Sequence, residues 1–265
     1  MIESFKNAHV KNVAKLLKNS RERKAQKCYI VEGRKMVFEA VKHKLAIHVY
    51  VSESMWEVLN GEDKAFITEC QYDVVKDNVF SGMSDTVTPQ GMVATVKMSD
   101  YSLEDIMTSS NYEKDGVERY IILDNLQDPG NLGTILRTAE AAGFNGILMN
   151  KGTVDAYNPK VVRSTMGAVL RVPFAYFDET TEIIASCRQK GVSVMGAALE
   201  GEDIREVSYP DKLAIIIGNE SKGISKECIA NCDKLVRIPM KGRTESLNAS
   251  VAAGILMYMS SLSYL

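Results

Sequence analysis

Three stretches of the sequence combine polar side chains and glycines in patterns that could do chemistry. In the first, L-D-N-L-Q-D-P-G-N-L-G-T-I-L-R-T-A-E-A-A-G over residues 123–143, an apolar run passes through a Gly/Pro/Asn turn into a helix. Asn131 falls near the helix start, where free backbone N–H groups favour anions, and Arg137 follows under two turns later. The pair reads equally as a cap with a solvated charge or as an anion-binding couple. In the second, I-I-I-G-N-E-S-K-G-I-S over residues 215–225, Gly218 and Gly223 flank Glu220 at the end of an apolar strand. Such ends line ligand crevices in α/β sheets, and glycine lets a ligand approach the backbone; the same pattern also fits a plain turn. The third, V-R-I-P-M-K-G-R-T-E-S-L-N-A-S-V-A-A-G over residues 236–254, ends a strand at Pro239 and enters a glycine loop. Ser246 then caps an apolar helix whose small residues permit close packing.

The elements that must position these segments follow a strand–helix rhythm. In the second half the strands expected are 120–123, 146–149, 192–195, 213–217 and 235–238, with helices over 132–142, after Asn158-Pro159, and over 246–260. Continuous apolar strands alternating with helices imply a parallel sheet covered on both faces. In the first half a helix over 4–27 capped by Ser4, strands at 29–31, 47–51, 72–75 and 91–96, and a helix over 35–44 make a small α/β domain. The division expected is residues 1–97, a polar linker over 98–117 with one short helix, and a second domain over 118–265.

Composition sets bounds on function. The chain has 265 residues, 45% hydrophobic and 25% charged, which is ordinary for a globular protein able to bury a sizeable core. The longest apolar stretch, residues 249–259, is interrupted by Gly254 and too short to span a bilayer, so no membrane association is expected. The first twelve residues lack the apolar core of a secretory signal, and five scattered cysteines fit reduced thiols, so a cytoplasmic location is expected. Cys228 and Cys232 lie four apart with no second ligand pair at zinc spacing, so no metal is expected. Net charge is −2 but unevenly spread: residues 1–48 hold twelve Lys/Arg against four Glu, a net of +8, and the remainder holds 20 basic against 30 acidic residues, a net of −10. A basic segment on an acidic body fits either a polyanion contact or a merely Lys-rich solvated face.

In this order, the three segments resemble the three motifs of the SpoU (TrmH-like) family of RNA ribose 2′-O-methyltransferases, within the SPOUT class. They match as N-L-G-x-x-x-R-T-A, G-N-E-x-x-G and I-P-M-x-G-x-x-x-S-L-N-x-S-V-A, and residues 158–173, N-P-K-V-V-R-S-T-M-G-A-V-L-R-V-P, also look familial. The resemblance covers roughly residues 119–262. The first half more loosely resembles the ribosomal-protein-like substrate-binding domain of large-subunit rRNA members, through E-G-R at 32–34 and Q-G-M-V-A at 90–94.

The resemblance implies an α/β fold whose C-terminal SPOUT sheet carries a deep trefoil knot, preceded by the small ribosomal-protein-like domain. It implies S-adenosyl-L-methionine as cofactor, held by Gly218, Ile238 and Leu247 with Met240 nearby, and methyl transfer to a ribose 2′-hydroxyl, most simply of 23S rRNA. Arg137 matches the family's activating arginine, and Asn131, Glu220, Ser246 and Asn248 match its other polar positions. A guanidinium rarely loses its proton, so Arg137 is better read as a cation that binds the neighbouring phosphate and stabilises a developing alkoxide. The resemblance further implies a homodimer, and an RNA grip from Lys11, Lys15, Lys18, Arg21, Arg23, Lys24, Lys27 and Arg34. The alternatives are the same reaction on tRNA and a non-catalytic RNA-binding relative; a nucleotide-binding dehydrogenase would carry a G-x-G-x-x-G turn, which the sequence lacks.

Overall fold

The computed structural model describes residues 1–108 and 116–262; residues 109–115 of the expected linker and the last three residues of the expected second domain lie outside the described residues. The chain divides into two compact units. Unit 1 comprises Met1–Ser99 with Tyr157–Leu170, and unit 2 comprises Asp100–Ala156 with Arg171–Leu265.

Unit 1 begins with two helices, α1 (Ala8–Lys18) and α2 (Ser20–Gln26), where the sequence pattern suggested one helix capped by Ser4. Asparagine accounts for the difference. Asn7 caps α1 through His9 N, and Asn19 ends α1 in extended backbone and caps α2 through Arg21 N and Glu22 N. Then follow β1 (Cys28–Glu32), α3 (Arg34–Lys42), β2 (Ala46–Ser52), α4 (Glu53–Val58), α5 (Gly61–Ile67), β3 (Tyr72–Val75), α6 (Asp77–Phe80) and β4 (Met92–Lys97). Sheet order is β1-β4-β2-β3, with β4 antiparallel to both neighbours and β2 parallel to β3. The apolar face of α1 (Val10, Val13, Leu16) is buried in the core of this unit together with Ile30, Tyr50 and Val93.

In unit 2 come α7 (Leu103–Thr108), β5 (Glu118–Leu123), α8 (Pro129–Ala141) and β6 (Gly146–Asn150). The chain then contributes α9 (Pro159–Ser164) to unit 1, although the sequence rhythm places this segment within the second domain. Its ties there are the Tyr157 ring 4.6 Å from Tyr29, Tyr157 Oη accepting from Ser99 N at 2.9 Å, and Arg163 donating to Asp85 at 2.8 Å. Unit 2 resumes with β7 (Phe174–Phe177), α10 (Thr180–Gln189), β8 (Ser193–Asp203), β9 (Lys212–Ile217), α11 (Lys226–Asn231), β10 (Lys234–Arg237) and α12 (Ala249–Ser261). Its six-stranded sheet has the order β10-β8-β9-β5-β6-β7, and every pairing is parallel. β5, β6 and β9 are buried along almost their whole length, as continuous apolar runs require when both sheet faces are covered.

Two helix starts in unit 2 also differ from expectation. α8 begins at Pro129 with Asp128 as its cap, so Asn131 sits inside the first turn. α12 begins at Ala249 with Asn248 as its cap, and Ser246 stays in the preceding loop. β8 is the other departure. Its pairing with β10 jumps from Leu235–Gly196 to Val236–Glu202, so residues 197–201 bulge out of the ladder.

Candidate active site

The site is built at the carboxyl ends of β8, β9 and β10 in unit 2. A cavity of about 430 Å³ lies there, lined by Ala197–Glu200 of the β8 bulge, the loop from Gly218 to Ile224 after β9, and Ile238, Met240, Ser246 and Leu247 after β10. All four residues expected to hold the cofactor line it. The size falls within the ~300–1,000 Å³ range of small-molecule sites, and the lining mixes apolar side chains such as Ile238, Met240 and Leu247 with polar ones such as Asn219, Glu220 and Ser246. Gly218 also has a steric reason that its sequence position did not suggest. A Cβ there would lie 2.1 Å from Gly223 C and 2.2 Å from Ile224 N, so glycine is needed for the loop to fold against itself. Gly223, at φ +69°, supplies the left-handed turn that closes the hairpin, whose ends exchange hydrogen bonds between Asn219 and Gly223.

Beside the cavity, three of the expected polar residues form one chain of hydrogen bonds. Asn248 Nδ2 donates to Asn131 Oδ1 at 2.9 Å, and Asn131 Nδ2 donates to Glu220 Oε1 at 3.1 Å. Glu220 also accepts from Asp128 N at 2.8 Å and Gln127 N at 3.1 Å. Desolvation raises the Glu220 pKa, but the N–H donors of Asp128, Asn131 and Gln127 outweigh it and hold the carboxyl below its ordinary value. Asn248 Oδ1 meanwhile accepts from Ser250 N and Val251 N, capping α12. Asn131 and Asn248 thus have both ends of their amides engaged, and Glu220 fastens the first motif loop to the second. These are the bonds of a frame that holds three loops in register.

Arg137 stands apart from both groups. It lies on the exposed side of α8, lines none of the cavity, and makes no hydrogen bond or ion pair among the described residues. Its neighbour Thr138 faces α12, where a Cβ on Gly254 would lie 3.7 Å from Thr138 Cγ2. The small residues Ala249 and Ala253 of α12 are buried in their own unit, while Val251, Tyr258 and Leu262 remain exposed along another face.

The basic residues of unit 1 separate into two kinds. Lys11, Lys15 and Lys18 are exposed on α1, and Arg21, Lys24 and Lys27 are exposed on or just after α2. Arg23 is different: it is 3% exposed and its Nη1 donates to Leu16 O at 2.8 Å, so the expected phosphate contact is instead a buried cation at the carboxyl end of α1. Arg34 is exposed but engaged, donating to Asp63 and lying over the Phe38 ring.

Sequence reasoning overlooked the residues beneath the loops. Asp124, Asn125, Gln127 and Asp128 form the turn on which the second loop rests, Asn150 at the end of β6 supports it, and the β8 bulge supplies one wall of the cavity. The D-N-x-x-D-P turn signature was the available clue for the former, and Gly201 for the latter. A Cβ on Gly201 would lie 2.4 Å from Val236 N, so only glycine lets the bulge return to β10.

A parallel sheet with a cavity at its strand ends, beside an amide–carboxylate network, is the arrangement of an α/β ligand-binding enzyme. Residues 118–258 match the SpoU rRNA methylase family and residues 7–94 match the MRM3-like substrate-binding domain. The chain is 32% identical over 264 residues, 97% of each protein, to the Bacillus subtilis 23S rRNA (guanosine(2553)-2′-O)-methyltransferase RlmP. It resembles the AdoMet-bound rRNA methyltransferase of Sinorhizobium meliloti with TM-score 0.87 and 30% identity, covering 100% of this chain and 98% of that one. A putative RNA methyltransferase of the TrmH family from Porphyromonas gingivalis superposes with TM-score 0.80 and 28% identity, covering 96% and 97% of the two chains. The chain belongs to the SpoU rRNA methylase family. It is an RNA methyltransferase, and S-adenosyl-L-methionine is its methyl donor.

Proposed function

We propose that the protein methylates a ribose 2′-hydroxyl of 23S rRNA, with the cavity as cofactor site and Arg137 at the reacting hydroxyl. The observation that carries this reading is the convergence of three distant segments. Asn131, Glu220 and Asn248 are hydrogen-bonded to one another, and Gly218, Ile238, Met240 and Leu247 wall one cavity beside them. The full-length similarity to a 23S rRNA 2′-O-methyltransferase supports the substrate.

S-adenosylmethionine supplies an activated methyl group, so the protein's work is orientation and the management of one proton. Ile238, Met240 and Leu247 supply apolar walls for the purine, and the loop backbone supplies directed hydrogen bonds. Asn131, Glu220 and Asn248 keep the loops rigid, and Ser246, exposed at the cavity, is free to meet the RNA. Arg137 grips the phosphate next to the target ribose and stabilises negative charge as the hydroxyl proton leaves. Unit 1 holds the RNA through Lys11, Lys15, Lys18, Arg21, Lys24 and Lys27, whose exposure suits phosphate contacts that position without reading sequence. The match of residues 7–94 to a substrate-binding domain supports that division of labour.

The family's deep trefoil knot in the C-terminal sheet and its homodimer belong to the same reading. The exposed apolar residues Val251 and Tyr258 of α12, with Leu262 just after it, supply a face for a second copy. A cytoplasmic location follows from an rRNA substrate, and no helix among the described residues is long and apolar enough to cross a membrane.

The test is methyl transfer from radiolabelled S-adenosylmethionine to unmodified rRNA, followed by nucleoside analysis. Label in a 2′-O-methylnucleoside of 23S rRNA is expected. Label in tRNA alone would overturn the substrate, and label in neither would leave a non-catalytic RNA-binding protein.

A further inference from the structure

Asp124 is a buried carboxylate, 2% exposed, that the chemistry above does not use. It directly follows β5, and its two oxygens face different parts of the molecule. Oδ1 accepts from Thr180 Oγ1 at 2.8 Å, Asn125 Nδ2 at 3.0 Å and Asn150 Nδ2 at 3.4 Å, all within the support of the turn. Oδ2 accepts from Ser225 N at 2.8 Å, at the far end of the cavity loop where Ser225 caps α11. The near end of that loop is tied to the same turn by Asn219 Nδ2 donating to Asn125 O at 2.8 Å and by the bonds of Glu220.

The turn is itself held firmly. Asn125 sits at φ +59°, its N–H donates to Asn150 Oδ1 at 3.0 Å, and its side chain occupies space that only a glycine at 152 leaves open. A Cβ on Gly152 would lie 1.9 Å from Asn125 Oδ1. One stiff turn therefore pins both ends of the loop that lines the cavity.

We infer that Asp124 is a positioning residue for the S-adenosylmethionine site, acting through Ser225 N to set the cavity loop. This rests on the cavity being the cofactor site. The asymmetry of the carboxylate makes the idea testable. In Asp124→Asn the carbonyl oxygen must take the Oδ1 place, where three donors converge. Its NH2 group then faces the Ser225 N–H, donor against donor. Thr180→Val removes one donor from the other oxygen and leaves the loop bond in place.

Two measurements on the full chain decide it. Amide exchange without ligand is expected to quicken at residues 222–225 in Asp124→Asn but not in Thr180→Val. Calorimetry with S-adenosylmethionine is expected to show affinity about tenfold weaker in Asp124→Asn and within twofold of wild type in Thr180→Val, the scale on which one charged hydrogen bond acts. Should Asp124→Asn not fold, Ser225→Pro, which lacks the N–H, is compared with Ser225→Ala, which keeps it, and only the proline variant is expected to lose affinity. Equal effects in either pair, on exchange or on affinity, overturn the positioning role. A wild-type protein that binds no S-adenosylmethionine would overturn the cofactor assignment instead, while the exchange comparison still decides the pin.

Discussion

The two units carry their polar residues in opposite ways. In unit 2, Asn131, Glu220 and Asn248 are bonded to one another and to backbone, so each has a fixed place. In unit 1, Lys11, Lys15, Lys18, Arg21 and Lys24 stand in solvent on two short helices. A network of fixed dipoles is what a cofactor site needs, because groups already oriented need no reorganisation during reaction. A row of mobile cations is what a polyanion grip needs, because phosphate contacts act mainly through charge and tolerate variable geometry. Each unit also contains residues of the other kind, among them Arg137, an exposed cation on unit 2, and Arg23, a fixed, buried cation in unit 1. These two exceptions break the comparison most sharply.

The largest effect is expected at Arg137. Arg137→Ala removes no hydrogen bond or ion pair among the described residues, so folding and S-adenosylmethionine affinity should match wild type. Loss of a cation that stabilises the transition state should nonetheless slow methyl transfer by roughly 10²–10³-fold. Single-turnover kinetics beside calorimetry checks this; a rate within threefold of wild type would remove Arg137 from the chemistry. Next comes Arg23→Ala, which deletes a buried charged donor to Leu16 O and should lower stability by about 2 kcal/mol. Urea unfolding measures it, and RNA affinity of the folded protein should keep its salt dependence. A charge-reversal set that included Arg23 would report unfolding as loss of RNA binding.

Much of this was legible in the sequence, for identifiable reasons. β5, β6 and β9 announce themselves as apolar runs, and all four expected cofactor residues reach one cavity because local motifs fix loops that tertiary structure only has to bring together. The helix starts were misplaced by up to three residues because Ser246 and Asn131 compete with Asn248 and Asp128 as caps, and propensity alone does not choose among Ser, Asn and Asp. Arg23 could not be distinguished from Arg21 by charge; burial depends on α2 folding back so that Arg23 reaches Leu16, which no local pattern encodes. The transfer of Tyr157–Leu170 to unit 1 is hidden for the same reason, since its Asn-Pro helix start is equally valid in either unit. The β8 bulge escaped notice because strand periodicity gives no sign of where a ladder skips.

The exposed lysines should yield smaller and salt-dependent effects. Changing Lys11, Lys15 and Lys18 to Ala is expected to weaken rRNA binding by roughly tenfold near physiological salt and to lower the slope of log K against log salt by about 0.7–0.9 for each lysine that contacts phosphate. Filter binding over a salt series measures both. An unchanged slope would mean that this face of α1 is only solvated, and would remove the contrast between the units.

The smallest effect sharpens the contrast from the side of unit 2. Glu220 is held below its ordinary pKa by the N–H donors that it ties together, so folding favours its charged form. A carboxyl whose folded pKa is depressed contributes stability that is complete above its unfolded value near ~4.3 and disappears as pH falls through the folded value. Glu220→Gln lacks the charge at every pH. The stability difference between wild type and Glu220→Gln should therefore be constant from pH 7 down to about 5, stay below about 1 kcal/mol because the carboxylate is exposed and screened, and shrink below that. Thermal unfolding of both proteins between pH 3 and 7 measures it. A lysine of unit 1 replaced by Ala should show no such acid limb, because a solvated cation makes no hydrogen bond that depends on a carboxylate's charge. If the Glu220→Gln difference held steady down to pH 3, the carboxylate would be bound no more tightly than in the unfolded chain, and the frame would have to rest on the amides of Asn131 and Asn248.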